Sequence, residues 1–278
     1  MKSIGSSKIL FLFILPALVF LLLFFVYPLI RLVLLSFGEQ EFTLDNYVRI
    51  ISTPLYISVI LNTIKLSIIV TAICLVIGFP VAYLLARLPE NKASILFIFI
   101  LIPFWTNLLV RTYAWMILLQ STGLINNFLE QIGILKQPIS FMYNLIGVTI
   151  GMVYILLPFM IFPMYSVIKK IDNNLISASL NLGASPIQTF LKITLPLSKG
   201  GIGAGSLLVF ILSMGFYITP TLMGGLNDIT ISMVIAQQVN AVGNWGFASA
   251  LAMILFVLIV LMTIVYNYSF RIERIWGG

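Results

Sequence analysis

The sequence predicts an all-α membrane protein with six transmembrane helices, and three observations support this fold class. Only 15 Lys or Arg and 8 Asp or Glu occur among the 278 residues, whereas 61% of the residues are hydrophobic. A soluble domain carries about 25% charged residues, so this surface cannot face water on all sides. Six uncharged apolar runs are each long enough to cross roughly 30 Å of hydrocarbon as a helix. These runs do not alternate apolar and polar residues, as the strands of a membrane barrel would.

The six predicted spans follow one another along the whole chain. Several contain proline, for example Pro80, Pro158 and Pro163. Such positions lose backbone hydrogen bonds, so we expect kinks that pack against neighbouring helices or line a cavity. Between the third and fourth spans, a short surface helix is expected near 124–134. The predicted spans are residues 9–29, 66–85, 93–110, 145–168, 200–222 and 247–270.

The charges between the spans predict the orientation. If the N-terminus is cytoplasmic, ten of the basic residues lie in cytoplasmic segments and five lie outside. This asymmetry favours a multi-pass protein of the plasma (inner) membrane with both termini in the cytoplasm. The net charge of +7 then reflects topology and contact with anionic membrane lipid, and we expect no nucleic-acid partner.

The composition also excludes several chemistries. The chain has no His and one cysteine, Cys74, which excludes a Ser/His/Asp triad, a Cys/His dyad and a zinc cluster. It has no GxxxxGK[ST] phosphate-binding loop, so it cannot hydrolyse ATP by itself. We therefore expect no catalytic residue, no metal and no cofactor in this chain. A secondary transporter or channel, or a membrane enzyme, would need intramembrane ionisable groups or clustered carboxylates, which are missing from the spans.

The longest predicted cytoplasmic connection, residues 169–199, has its own pattern. Apolar residues from Leu175 to Leu182 and again from Pro186 to Thr194 fall at helical spacing, and Gly183 separates them. This predicts two short amphipathic helices joined at the glycine, the second ending at Pro196. Such helices could simply rest in the membrane interface.

The spacing of this loop also resembles a known motif. Ala178, Gly183, a gap of nine residues, Ile193, one residue, Leu195 and Pro196 are similar to the EAA loop of binding-protein-dependent ABC importer permeases. The resemblance implies the type I importer permease fold, in which this loop carries the coupling helix that sits in a groove of the ATPase. Ser177, Ser179 and Asn181 stand where the family has Glu, Ala and Asp. Ser177 therefore cannot form a charge-assisted pair. The implied ATPase-coupling residues are Ser177, Ala178, Ser179, Asn181, Gly183, Ala184, Ile193, Leu195 and Pro196.

Other stretches resemble the first permease of spermidine/putrescine importers. They are PFWTNLLVRTY at 103–113, the run 153–172, LDNY at 44–47 and LMGG at 222–225. The resemblance implies a polyamine importer built from this chain, a second permease in a heterodimer, an ATPase dimer that binds ATP and Mg, and an extracytoplasmic binding protein. It divides the chain into an N-terminal helix and outer loop (1–60), a transmembrane core (61–270) with the EAA loop at about 171–200, and a cytoplasmic tail (271–278).

Aromatic and polar residues near the span ends are candidates for the substrate path. Aromatic faces attract ammonium groups by about 0.5–2 kcal/mol each, although such residues also serve as interfacial anchors. The spans contain no carboxylate to balance a polycation. The second permease could supply the acid, aromatic and carbonyl groups could suffice, or the substrate could be an opine-like, zwitterionic or phosphonate compound. The path candidates are Trp105, Asn107, Arg111, Tyr113, Trp115, Tyr154, Phe216, Tyr217 and Thr219.

Overall fold

The computed structural model describes residues 4–38 and 41–270. Throughout these residues the regular structure is helical, and no strand occurs among them. The predicted tail 271–278 lies outside the described residues. The backbone divides into two compact units, one formed by residues up to 57 with 234–257 and the other by 58–233 with the residues from 258 onward.

Four of the predicted spans are helical throughout. The first is α1 (Ile4–Leu21), which continues through a π-helical turn (Leu22–Val26) into α2 (Tyr27–Ser36). The second lies within α4 (Pro54–Arg87), which Pro80 does not interrupt. The fourth is α8 (Leu145–Ile168), with the predicted bounds, and the sixth is α15 (Trp245–Phe270).

The third and fifth predicted spans are not single helices, and this corrects the sequence prediction. Residues 93–110 fall on α5 (Glu90–Leu101), a 3₁₀ turn (Ile102–Trp105) and the start of α6 (Leu108–Leu119). Residues 200–222 fall on α12 (Lys199–Met214) and α13 (Ile218–Met223). A run of apolar residues indicates burial in lipid but does not require one continuous helix. Pro103 has no backbone N–H to donate a helical hydrogen bond, and α5 ends before it.

Length and composition identify the helical segments that can cross a membrane. Within the described residues there are five of them, and a sixth if Pro186–Leu197 and Lys199–Met214, which meet at 61°, form one bent span. The five are Phe13–Ser36, Pro54–Arg87, Leu108–Gln131, Leu145–Ile168 and Trp245–Tyr268.

Short helices occupy the connections between these spans. The surface helix expected near 124–134 is α7 (Leu124–Gln131). The predicted pair in the 169–199 connection is also present, with the second helix ending at Leu197, one residue beyond Pro196. The other short elements are α3 (Asp45–Ser52), α9 (Asn173–Asn181), α10 (Pro186–Thr189), a second π turn (Phe190–Thr194), α11 (Leu195–Leu197), α14 (Ile231–Gln237) and a third π turn (Gln238–Val242).

The first unit is organised around the end of α2 and the start of α15. Tyr47 donates a 2.7 Å hydrogen bond from its hydroxyl to Oγ of the buried Ser36. The buried ring of Phe247 meets the ring of Tyr56 edge-on at 5.1 Å. The guanidinium of Arg49 lies 4.6 Å from the centroid of the same Phe247 ring. These contacts hold α3 against the start of α15.

The core of the second unit follows one face of α8. Val148, Met152, Leu156, Met160 and Met164 recur every four residues and are all at most 1% exposed. This spacing places them in a single stripe along the helix. The helix begins at Asn144, whose side chain accepts hydrogen bonds from the backbone N–H groups of the second and third helical residues.

The stripe on α8 packs closely against α12. A Cβ atom at Gly201 would lie 2.9 Å from Cα of Met164, and one at Gly205 would lie 2.9 Å from the carbonyl oxygen of Met160. Only glycine permits this approach, and small residues are the usual means of close helix packing in membranes.

Candidate functional site

The break between α5 and α6 is the first component of a candidate substrate site. After the 3₁₀ turn the backbone is extended at Thr106 and Asn107, and Asn107 begins α6 by accepting a 2.8 Å hydrogen bond from the N–H of Leu109. Trp105, within the break, is 90% exposed. Irregular backbone within a membrane is tolerated where protein covers it or where it lines a watery cavity. The break is therefore a candidate wall of a substrate path.

A second break lies between α12 and α13, at Gly215 to Tyr217. The buried hydroxyls of Thr112 on α6 and Thr219 on α13 lie 3.3 Å apart and share a hydrogen bond. This contact brings the helix that follows the first break against the helix that follows the second. The sequence shows both residues as ordinary threonines, so this pairing was not predicted.

Aromatic contacts join these breaks to α8. The ring of Phe104, in the first break, lies 5.2 Å from that of Phe159 on α8. Trp115, one turn beyond Thr112 on α6, meets the ring of Tyr154 edge-on at 5.4 Å. The site is therefore built from α5–α6, α8 and α12–α13, and the sequence of these helices contains one acid, Glu90 at the start of α5.

The path candidates differ in accessibility. Thr219 is completely buried, so in this conformation it supports the site and does not face it. Arg111 is half-buried, and its Nε atom has no hydrogen-bond partner in the part of the chain that the structure describes. Phe216 and Trp115 are also half-buried. The exposed candidates are Trp105, Asn107, Tyr113, Tyr154 and Tyr217.

The predicted coupling loop is a separate candidate site with a defined local structure. Asp172 caps α9 by accepting a 2.9 Å hydrogen bond from the N–H of Asn174. Gly183 ends the turn after α9 with φ of +87°, a conformation that favours glycine. Ser185 and Gln188 then form a capping box that begins α10.

A hydrogen bond between side chains joins the two helices of this loop. Oγ of Ser179 on α9 lies 2.9 Å from Oγ1 of the buried Thr189 on α10. The replacement of alanine by serine at this motif position thus adds an internal contact. Among the coupling candidates, Ser179, Ala184, Ile193 and Leu195 are half-buried, and Ser177, Ala178, Asn181, Gly183 and Pro196 are exposed.

The exposed surface of the loop includes four large apolar side chains. Leu182 is 88% exposed and Ile187 is 71% exposed, and Leu180 and Leu191 are also exposed. Exposed apolar residues grouped in one short segment indicate an interaction surface. The motif positions predicted from the sequence do not include these four side chains, although helical spacing placed Leu182, Ile187 and Leu191 on the predicted apolar faces of the loop.

The loop is anchored to the end of α4. Phe190 places its ring 5.8 Å from each of the rings of Phe79 and Tyr83, edge-on in both cases. Arg87, the last residue of α4, donates a hydrogen bond from Nη1 to Oδ1 of Asn173. These contacts connect the loop to the second span as well as to the fourth and fifth.

An ion pair ties the start of the loop to α5. Nζ of Lys169 lies 3.2 Å from Oε1 of Glu90 and 5.6 Å from the ring centroid of Tyr165. A hydrogen bond to Tyr165 and another to Glu90 raise the pKa of Lys169 above its ordinary value. Because the pair is exposed, its contribution to stability is small. The pair connects the loop to the start of α5, and α5 leads directly to the first break.

The chain is closely similar to proteins of one transport family. It is 42% identical over 237 residues to the spermidine/putrescine transport system permease protein PotB of Salmonella typhimurium (strain SL1344), covering 85% of this chain and 82% of the relative. It is also 42% identical to PotB of Escherichia coli (strain K12), covering 86% of that relative. The chain belongs to this family of ABC importer permeases. The permease is 34% identical over 233 residues to the inner membrane ABC transporter permease protein YdcU of E. coli (strain K12).

Solved structures agree with this assignment at the level of the fold. The permease matches a bacterial ABC transporter involved in the import of the acidic polysaccharide alginate with a TM-score of 0.81 and 20% identity, over 97% of each chain. A second structure, that transporter in complex with an alginate pentasaccharide-bound periplasmic protein, gives 0.78 over 100% of the permease and 98% of the matched chain. No family model matches the chain. Its 42% identity to permease proteins and its apolar helices make the chain a multi-pass, non-catalytic membrane subunit.

Proposed function

We propose that this permease subunit imports polyamines of the spermidine/putrescine type. The observation that carries the proposal is the 42% identity to spermidine/putrescine permeases across more than four fifths of both chains. A second permease would complete the path, an ATPase dimer would supply energy with ATP and Mg, and an extracytoplasmic binding protein would deliver the substrate. The exposed aromatic rings of Trp105 and Tyr113 at the first break are groups that attract an ammonium ion. The helices of the site carry no acid beside the two breaks.

The substrate proposal is tested by uptake into proteoliposomes that contain the whole complex. We expect ATP-dependent uptake of labelled spermidine or putrescine in the presence of the binding protein. Trp105→Ala should lower uptake at limiting substrate by roughly 2- to 30-fold, the equivalent of about 0.5–2 kcal/mol for one cation-π contact. Trp105→Phe should retain part of the activity. Trp245, an exposed tryptophan at the start of α15, provides the matched control Trp245→Ala.

One outcome would contradict the substrate proposal, and another would contradict the placement of the substrate site. If the complex takes up an opine-like, zwitterionic or phosphonate compound but no polyamine, the importer class stands and the substrate is wrong. If Trp105→Ala and Trp245→Ala have equal effects, the break at 102–107 does not contact the substrate.

The loop from 171 to 200 is proposed to bind the ATPase at the cytoplasmic face, with both termini of the chain on that side. The exposed apolar side chains Leu182 and Ile187 would enter a groove on the ATPase, while Ser179, Phe190 and Arg87 hold the loop in place. Closure of the ATPase on ATP would then move the loop and, through the ring contacts of Phe190 with Phe79 and Tyr83, the end of α4.

Charge substitutions on the loop test the coupling proposal. Leu182→Glu or Ile187→Glu should weaken co-purification of the ATPase at least about tenfold, because a charge would enter an apolar contact. Leu226, which is 92% exposed in another loop, provides the control Leu226→Glu, which should retain the ATPase. Normal ATPase recovery with Leu182→Glu and Ile187→Glu would show that the loop does not dock the ATPase. Substituting Ser177→Glu restores the family residue and should leave binding intact or strengthen it.

A further inference from the structure

A cavity of about 770 Å³ lies between the end of α8, the start of α12 and the coupling loop. It has the size of a ligand pocket, for which roughly 300–1,000 Å³ is typical. It exists because the axis turns by 61° between the loop helix ending at Leu197 and α12, and because Gly200 and Ala204 present little side chain to it. Its location is distinct from the helix breaks that form the candidate substrate site.

The lining of the cavity changes from apolar to charged along the helices. Pro163 and Val167 on α8 and Ala204 on α12 line it within the helices, together with Ser166. Lys170 and Asp172, beyond the end of α8, lie at the loop end. Because α8 ends and α12 begins at this level, the charged end of the cavity coincides with the membrane surface and its apolar end with the hydrocarbon. This is the polarity of a phospholipid, with its headgroup outward and its acyl chains inward.

One lysine at the loop end of the cavity is available to bind an anion. Nζ of Lys170 has no ion pair or hydrogen-bond partner among residues 4–38 and 41–270. Asp172 is committed to the cap of α9, where it accepts the N–H of Asn174.

We propose that this cavity binds one anionic phospholipid of the inner leaflet, with the phosphate beside Lys170 and an acyl chain between Pro163 and Ala204. Lysines at an anionic lipid surface each strengthen binding by about fivefold. The lipid would contact Leu175 of α9 and Gly200 of α12, so it would stabilise the position of the coupling loop. The inference rests on the proposed cytoplasmic side of the loop but does not depend on the identity of the imported substrate.

Native mass spectrometry of the purified complex of both permeases and the ATPase tests the proposal. The complex is loaded with phosphatidylglycerol, exchanged against phosphatidylcholine micelles, and measured without ATP or polyamine. Wild type should retain one phosphatidylglycerol per copy of this chain. Lys170→Gln should reduce retention about fivefold, Lys170→Arg should preserve it, and Ala204→Phe, which fills the cavity from an exposed position, should abolish it.

The control is Lys92→Gln, which removes an exposed lysine in the first turn of α5 and should leave retention unchanged. Equal retention by wild type, Lys170→Gln and Ala204→Phe would overturn the proposal. So would efficient cross-linking of Ala204→Cys to the second permease, because the cavity would then be covered by protein. Failure of polyamine uptake would leave the lipid result unaffected, so the two proposals can fail separately.

Discussion

Replacing Gly205 by alanine should weaken the packing of α12 on α8. The added Cβ would lie 2.9 Å from the carbonyl oxygen of Met160 and 3.0 Å from its Sδ, where 3.4 Å is the lower limit of ordinary contact. The methionine side chain can move, but the backbone oxygen cannot, so α12 must shift outward by about half an ångström. A gap of that size loses a quarter to a half of the dispersion attraction of the atoms that separate.

The expected magnitude follows from two opposing effects. Overpacking of a tight contact costs about 1–3 kcal/mol. Alanine in place of glycine in a helix interior recovers about 0.5–1 kcal/mol. We therefore expect Gly205→Ala to lower the free energy of unfolding by on the order of 1 kcal/mol, and Gly201→Ala to act similarly, since its Cβ would lie 2.9 Å from Cα of Met164.

The free energy of unfolding can be measured by titrating SDS into mixed micelles of the purified permease. Gly215→Ala is the matched control, because a Cβ there has no atom within 4 Å and φ is −90°. It should leave the free energy of unfolding within about 0.5 kcal/mol of wild type. If Gly205→Ala and Gly201→Ala are as stable as wild type, close contact between α8 and α12 does not hold these helices together.

Two further predictions concern the coupling loop. Gly183→Ala should destabilise the turn after α9 by roughly 1–2 kcal/mol through backbone strain alone, because φ is +87° and a Cβ would meet no atom within 4 Å. Gly183→Asn should destabilise the turn less. Equal hydrogen exchange of α9 in the two variants would contradict this prediction. The pKa of Lys169 is raised above 10.5 by Tyr165 and then Glu90. The stabilisation that these contacts of Lys169 give the folded protein is therefore complete below pH 10.5 and is lost as the pH rises through the raised pKa. Glu90→Gln should lower this pKa, measured by NMR of dimethylated lysines, and an unchanged pKa would show that the pair does not persist in solution.

Much of the architecture follows from local sequence. The stripe from Val148 to Met164 and the caps at Asn144 and Asp172 require no knowledge of distant residues, because helical period and capping depend on neighbours within about four positions. Gly183 was correctly placed at the turn for the same reason. The motif positions of the loop were also identified by their spacing, although their contact with an ATPase remains a prediction.

Other features depend on residues far apart in the chain. Apolar composition could not distinguish a continuous third span from α5 and α6 with a break at Pro103, since both bury the same residues in lipid. The Thr112–Thr219 hydrogen bond joins residues 107 positions apart. Thr219, which the sequence predicted to line the substrate path, is buried in the structure and supports the site from behind. Pairing of this kind depends on how helices pack, which no local pattern encodes.

By itself, the sequence determined that this chain is a helical membrane protein, where its spans lie approximately, and which loop carries the family motif, because hydropathy, charge and local spacing are properties of short segments. The tertiary structure decided where the third and fifth spans break, which aromatic side chains remain exposed, and how Glu90, Arg87 and Phe190 hold the coupling loop. It also revealed the cavity at Lys170, because an empty volume arises only where helices distant in sequence meet without filling the space between them.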